Sequence, residues 1–129
     1  MPSKLQAEDF RSITDVANRV APWLKGKVQV EKVPKSSGKE YFELSTYKGR
    51  LQVKATTTSA AGMGINYYLK YYCNRHYSQT GSNLAPLDKL PEIEKPVRVE
   101  TPFKYRYFLN YCTLNYSSRF WGWKEWERA

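Results

Sequence analysis

The sequence predicts an α+β fold: an antiparallel sheet covered on one face by two helices, with one more strand and helix at the C-terminal end. Three observations lead there. Apolar residues recur at helical spacing in two separate segments. Between those segments lie three runs in which apolar and polar residues alternate with period two. Aromatic residues then crowd the end of the chain: of 20 Phe, Tyr and Trp, 10 fall between Phe103 and Trp126.

The first helix is read from Phe10, Ile13, Val16, Ala17, Val20 and Leu24, which form one apolar stripe. Ser3 with Gln6 offers a capping box, and Asp9 offers a later start. Pro22 and Gly26 mark its end or a kink. The strands follow at Lys27–Val33, Glu40–Tyr47 and Arg50–Thr56. In each, one face is apolar and the other polar, the pattern of a sheet wet on one side. Pro34 to Gly38 reads as a hairpin loop and Lys48-Gly49 as a tight turn.

The second helix is expected over Thr58–Cys73, with Ala61, Ile65, Tyr68, Leu69 and Tyr72 on its apolar face. Gly62 and Gly64 lie near that face. Glycine costs a helix about 1 kcal/mol relative to alanine, so two of them there predict close approach of the helix to the sheet. Ala61-Gly62-Met63-Gly64 carries no nucleotide-binding fingerprint. His76–Pro86 reads as two short strands around a turn at Thr80 to Asn83. Residues 87–102 hold Pro91, Pro96 and Pro102 among mixed charges, and read as a linker. Phe103–Thr113 is strand-like and Arg119–Ala129 helix-like. The sequence stops within that helix with no C-cap signal, which predicts a chain severed from a longer one.

At 129 residues and 15.1 kDa the chain has the size of about one domain. It buries roughly two-thirds of its unfolded surface on folding. No apolar run approaches the ~18 residues a membrane span needs. Two cysteines and one histidine exclude a disulfide scaffold and leave no set for a structural zinc site. Cys73 and Cys112 read as two buried free thiols, with a disulfide as the alternative. The net charge of +9 comes from 21 Lys and Arg against 12 Asp and Glu. No two cations are adjacent in sequence, so the balance reads as a basic surface rather than a clustered nucleic-acid site.

Catalysis finds little support in the residue pattern. Glycoside hydrolysis usually needs two carboxylates flanking the scissile bond. Here Glu31 and Glu43 sit on polar strand faces, Glu92, Glu94 and Glu100 in the linker, and Glu125 and Glu127 on the last helix. Neither a Gly-x-Ser-x-Gly elbow nor an HExxH motif occurs. Cys73 with His76 lacks an orienting third group.

The segment with most information runs from Tyr105 to Tyr116. By itself it reads as a core strand, or as the first β/α unit of a following domain. If that domain is a (β/α)8 barrel, the C-terminal end of the strand faces the active site. Tyr105-Arg106-Tyr107-Phe108, Asn110, Cys112-Thr113, Tyr116-Ser117, and Trp121, Trp123 and Trp126-Glu127-Arg128 resemble the domain junction of glycoside hydrolase family 89, the α-N-acetylglucosaminidases. Thr58–Asn66 with Tyr68-Leu69, Gly81-Ser82 with Leu84, and Glu100-Thr101-Pro102 extend the resemblance upstream. It covers about residues 40–129 and is densest from 100 onward.

The resemblance implies a small N-terminal α/β domain ahead of a catalytic barrel. The parent enzyme would remove terminal α-linked N-acetylglucosamine with retention. Residues 1–95 would be the N-terminal domain, 96–102 a linker, and 103–129 a strand and helix severed from the (β/α)8 barrel. The family's two catalytic glutamates lie past this chain, so no catalytic residue is expected within it. Asn110, Cys112 and Tyr116 match residues lining the sugar pocket: Asn110 to hydrogen-bond hydroxyls, Tyr116 to give an aromatic wall and a hydroxyl, Cys112 to pack as a small apolar wall. Gly122 departs from the family, where an acidic residue is usual. The partners implied are the barrel of the same parent chain and, through the full enzyme, a glycan ending in N-acetylglucosamine. No cofactor, metal or nucleic acid is expected. The family's habit implies export in bacteria and the lysosome in animals, with a signal peptide outside these residues. The other two function classes are a carbohydrate-binding module and a basic nucleic-acid-binding domain.

Overall fold

The computed structural model describes residues 4–78, 80–107 and 120–128. Helix α1, Lys4–Val20, places Phe10, Ile13 and Ala17 against the core. Ser3 lies outside the described residues. The helix stops because Pro22 forces the residue before it out of helical geometry, and Ala21 is extended (φ −133, ψ 81). A 3-10 turn, Pro22–Leu24, buries Leu24 completely, and Gly26 reverses the chain at φ +74. Strand β1 is Val28–Lys32, β2 Glu40–Tyr47 and β3 Arg50–Ala55. At the β2–β3 hairpin both central residues, Lys48 (φ 50) and Gly49 (φ 72), take the left-handed conformation. That is a type I′ turn, whose twist matches that of paired strands.

Helix α2, Thr58–Tyr71, begins where the Thr57 hydroxyl accepts the Ala60 N–H at 3.2 Å. Beyond it Asn74 is left-handed (φ 51), and the Arg75 N–H returns to the Leu69 carbonyl at 2.8 Å. The Arg75 guanidinium donates to the carbonyls of Cys73, Asn74 and Ala85, tying the helix end to the loop after the next hairpin. That hairpin is β4, His76–Ser78, with β5, Gly81–Asn83. The Trp23 indole N–H donates to the Leu84 carbonyl at 3.0 Å, joining the hairpin to the 3-10 turn.

The main sheet has the order β1-β3-β2-β6, where β6 is Val97–Thr101. Two expectations are corrected here. The sheet is mixed, since β1 pairs with β3 in parallel while β2 is antiparallel to both β3 and β6. The tight turn at Ser37-Gly38 closes only the isolated Ser36–Lys39 bridge, so β1 and β2 never pair as a hairpin. Strand β3 reverses direction at Lys48-Gly49 and slots between β2 and β1, which leaves it running parallel to β1. The second correction concerns residues 96–102, read as a linker: they hold β6. Val97, Val99 and Thr101 alternate there with Arg98 and Glu100, and the prolines bracket the strand rather than break it. Phe103 to Tyr107, expected as the start of a strand, has no regular structure, and residues 108–113 lie outside the described ones.

Register sorts the side chains into two faces. Val28, Val30, Leu51, Val53, Ala55, Phe42, Leu44 and Val97 look toward α1 and α2, as expected of a sheet covered on one side. The other face is polar, with one row reading Glu31, Lys54, Glu43 and Arg98 across all four strands. Opposite charges at each step favour this pairing. Leu90 and Ile93 close the core from the segment before β6, and the Ile93 N–H donates to the Thr46 hydroxyl at 2.9 Å. Cys73 is a buried free thiol, and burial pushes its pKa up. Its suggested partner Cys112 lies outside the described residues.

At the C-terminal end α3, Trp123–Arg128, agrees with the helix expected over 119–129. The Glu125 carboxylate accepts the Gly122 N–H at 2.8 Å, the return half of a capping box. Trp121 and Trp126 meet edge to face with centroids 5.0 Å apart.

Candidate functional site

Two neighbours decide where the surface opens. Helix α2 packs over β2 and β3, and at Gly64 its backbone sits directly on Leu44 and Phe42. Strand β6 lies one strand further out, beyond the helix's cover. Between the N-terminal half of α2 and β6 runs an apolar groove of about 220 Å³. Phe42, Ala60, Met63 and Val99 line it, with Glu40 and Arg106 also at its wall. Met63 is 59% exposed although it lies on the helix beside the core. Further along the same helix Tyr67 packs against Phe42 (centroids 5.7 Å apart) and Tyr71 against Tyr67 (4.5 Å), with Tyr71 largely exposed.

The chain leaves β6 beside this groove. The Phe103 N–H donates to the Thr101 hydroxyl, and the Arg106 guanidinium folds back onto the Phe103 carbonyl and the Glu40 carboxylate. Lys35 meets the other Glu40 oxygen at 3.5 Å. The Arg106 hydrogen bond, helped by the Lys35 charge, holds the Glu40 carboxyl below the usual carboxylate range, and partial burial opposes this only in part. Phe103, Tyr105 and Tyr107 remain largely exposed.

A depressed folded-state pKa stabilises the pair above the ordinary carboxylate pKa, and the contribution is lost as pH falls through the lowered value. Acid titration is therefore expected to release Arg106 with a midpoint below that of a free glutamate. The Arg106 Nε–H resonance would report it in NMR spectra. A midpoint at the ordinary value would show that Glu40 does not hold Arg106 in solution.

Of the residues expected to meet sugar, Asn110, Cys112 and Tyr116 all lie outside the described residues. The groove and its Glu40–Arg106 clasp were not foreseen. Period-two alternation from Val97 to Thr101 was the available signal for β6, and without β6 there is no groove. Nothing local could have joined Glu40 to Arg106, which are 66 residues apart. Among the described residues no group of three or more His, Cys, Asp or Glu could hold a metal, and no helix is long and apolar enough to cross a membrane.

Comparison with known proteins places this α+β domain with the N-terminal regions of family 89 glycoside hydrolases. The sequence pattern of the α-N-acetylglucosaminidase (NAGLU) N-terminal domain matches residues 11–92, and the chain belongs to that family. Human α-N-acetylglucosaminidase is 38% identical over 79 residues, which are 61% of this chain and 11% of the human protein. The family 89 glycoside hydrolase from Clostridium perfringens, in complex with 2-acetamido-1,2-dideoxynojirmycin, superposes with a TM-score of 0.88 at 32% identity, over 95% of this chain and 14% of that one. The same organism's enzyme with its substrate GlcNAc-α-1,4-galactose gives a TM-score of 0.90 at 32% identity, over 98% and 15%. The chain thus spans about a tenth to a seventh of these relatives. The family match begins at residue 11, well before the region where the resemblance was densest.

Proposed function

We propose that this chain is the non-catalytic N-terminal domain of a retaining exo-glycosidase that hydrolyses terminal α-linked N-acetylglucosamine. Its role is to support the catalytic barrel. One observation carries the non-catalytic part. Glu40 and Glu100 are the carboxylates at the groove, but register puts Tyr41, not Glu40, opposite Glu100. Side chains alternate along a strand, so Glu40 and Glu100 point to opposite faces of the sheet. They cannot flank one glycosidic bond. Each is also held by a cation, Glu40 by Arg106 and Glu100 by Arg98. A general acid needs its carboxyl pKa raised, and Glu40 is displaced the other way.

The supporting role rests on the groove and the chain's exit. An apolar channel lies open beside the point where β6 ends, so a body tethered there meets it at high effective concentration. The relatives' much greater length supplies such a body. Residues 103–129 would then open the barrel's first β/α unit, with Asn110, Cys112 and Tyr116 turned to the sugar in the assembled enzyme.

The purified chain is expected to release no 4-nitrophenol from 4-nitrophenyl α-N-acetylglucosaminide above the buffer rate. Measurable turnover that survives repurification would overturn the non-catalytic reading.

A further inference from the structure

Strand β6 lies at one margin of the sheet. It pairs with β2 on one side, and among the described residues no strand pairs with its other side. No backbone hydrogen bond from a described turn or loop reaches its five residues either. Beyond Thr101 the described chain turns inward toward β2: the Phe103 N–H meets the Thr101 hydroxyl, and Arg106 meets Glu40. Arg98, Val99 and Glu100 are exposed. A margin of this kind presents a row of N–H and C=O groups that another strand can use.

The sequence of β6 complements itself. Laid antiparallel on a second copy about Val99, it sets Arg98 opposite the partner's Glu100 and Glu100 opposite the partner's Arg98. Val99 then meets the partner's Val99, and Val97 meets the partner's Thr101. Opposed side chains share a face, so the valines and threonines stay on the helix side and the charges on the open side in both copies. Arg98 is held in place beforehand, 3.8 Å over the Tyr41 ring and 2.7 Å from Glu100 of its own chain. The other marginal strand lacks this symmetry. Paired with itself about Val30, β1 would set Gln29 opposite the partner's Glu31 and Val28 opposite the partner's Lys32, with no ion pair.

We propose that this margin pairs with a second copy of the chain. Two β6 strands run antiparallel about a twofold axis at Val99 and join two four-stranded sheets into one. The axis stands perpendicular to the sheet, so both helix layers lie on the same side. The inference goes beyond the supporting role, which uses the groove between β6 and α2. Pro96 and Pro102 limit the ladder to Val97–Thr101. The contact is therefore smaller than a standard interface, and the dimer is a weak one.

Sedimentation equilibrium of the 129-residue chain at low salt, up to about 1 mM, is expected to show a monomer–dimer equilibrium. Register is tested by charge reversal. Arg98→Glu and Glu100→Arg are each made in a Glu43→Gln background, because Glu43 faces Arg98 on β2 and would repel a carboxylate placed there. Each reversal alone is expected to weaken self-association about tenfold or more relative to Glu43→Gln, since like charges then stand opposite each other twice. An equimolar mixture of the two is expected to regain association to within about threefold, because one margin then carries two carboxylates and the other two guanidiniums. Val99→Lys places two ammonium groups at the axis and is expected to abolish the dimer, a second test should either reversal unfold. Circular dichroism establishes that each variant is folded. A parent chain that stays monomeric up to about 1 mM would overturn the proposal. So would a folded reversal or Val99→Lys variant that dimerises as the parent does, or two folded reversals whose mixture stays monomeric.

Discussion

Replacing Tyr68 with alanine is expected to lower the stability of the domain by about 3–5 kcal/mol, the range for deleting a buried aromatic ring. Tyr68 has no exposed surface, and its ring stacks on Tyr72 with centroids 5.6 Å apart. Its hydroxyl donates to the Pro91 carbonyl at 2.6 Å, across 23 residues of chain. That bond ties the last turn of α2 to the segment whose Leu90 and Ile93 close the core. Burial, with the Cys73 thiol beside it, pushes the pKa of the phenol up, which favours the neutral, hydrogen-bond-donating form. Tyr68→Phe separates the ring from the bond. It keeps the packing and leaves the Pro91 carbonyl without its partner, at an expected cost of about 1–3 kcal/mol. Urea unfolding of the three proteins checks both values. A Tyr68→Phe variant as stable as the parent would show that water replaces the hydroxyl and that the bond does not anchor the segment.

Tyr68 also illustrates what could be read from the chain. Ala61, Ile65, Tyr68, Leu69 and Tyr72 were expected on one face of the helix by spacing alone; the first four are buried, while Tyr72 caps the helix and is half-buried. Strands β1 to β3 were visible because each is polar on one side. Their partners were not visible, because alternation specifies a face and not a neighbour. The Pro34 to Gly38 loop looks like a hairpin locally, yet β3 takes the place beside β1. Strand β6 was hidden by composition: Pro96 and Pro102 suggest a linker, and the paired charges of Arg98 and Glu100 look like solvated surface. On the open face that is where they are, with the Arg98 guanidinium 3.8 Å over the Tyr41 ring and 2.7 Å from Glu100.

The candidate site was less legible for a related reason. A groove is a property of two elements and the gap between them. Met63 reads from sequence as one more helix residue, and only the position of β6 shows that it lines a groove. The Glu40–Arg106 clasp needs the whole sheet to bring its ends together. The resemblance to family 89 drew on residues of another kind, the Asn, Cys and Tyr cluster after Tyr107, which lies outside the described residues. The family assignment, by contrast, rests on residues 11–92.

Gly64 and Gly62 are expected to respond in opposite ways to enlargement, although they sit two residues apart in the same helix. A Cβ on Gly64 would lie 3.2 Å from the Leu44 Cδ2 and 3.3 Å from two atoms of the Phe42 ring. Both neighbours are buried in the sheet, so the helix must lift or the core must shift. Gly64→Val is expected to cost about 2–3 kcal/mol, since overpacking against the sheet outweighs the small gain in helix propensity over glycine. A Cβ on Gly62 would meet only the end of the Ile13 side chain, with its Cδ1 at 3.2 Å. Ile13 lies on α1 at the half-buried edge of the core and can turn its terminal methyl aside. Gly62→Ala should then keep most of the gain in helix propensity, about 0.5–1 kcal/mol. Thermal and urea unfolding would separate the two cases. The discriminating result is the sign: if Gly62→Ala destabilises as Gly64→Val does, α1 and α2 are packed as rigidly as α2 and the sheet. If Gly64→Val is neutral, the helix does not rest on Leu44 and Phe42. The two glycines were read from sequence as one signal of close approach. The structure divides them: Gly64 lets the helix lie on the sheet, and Gly62 faces a neighbour able to move.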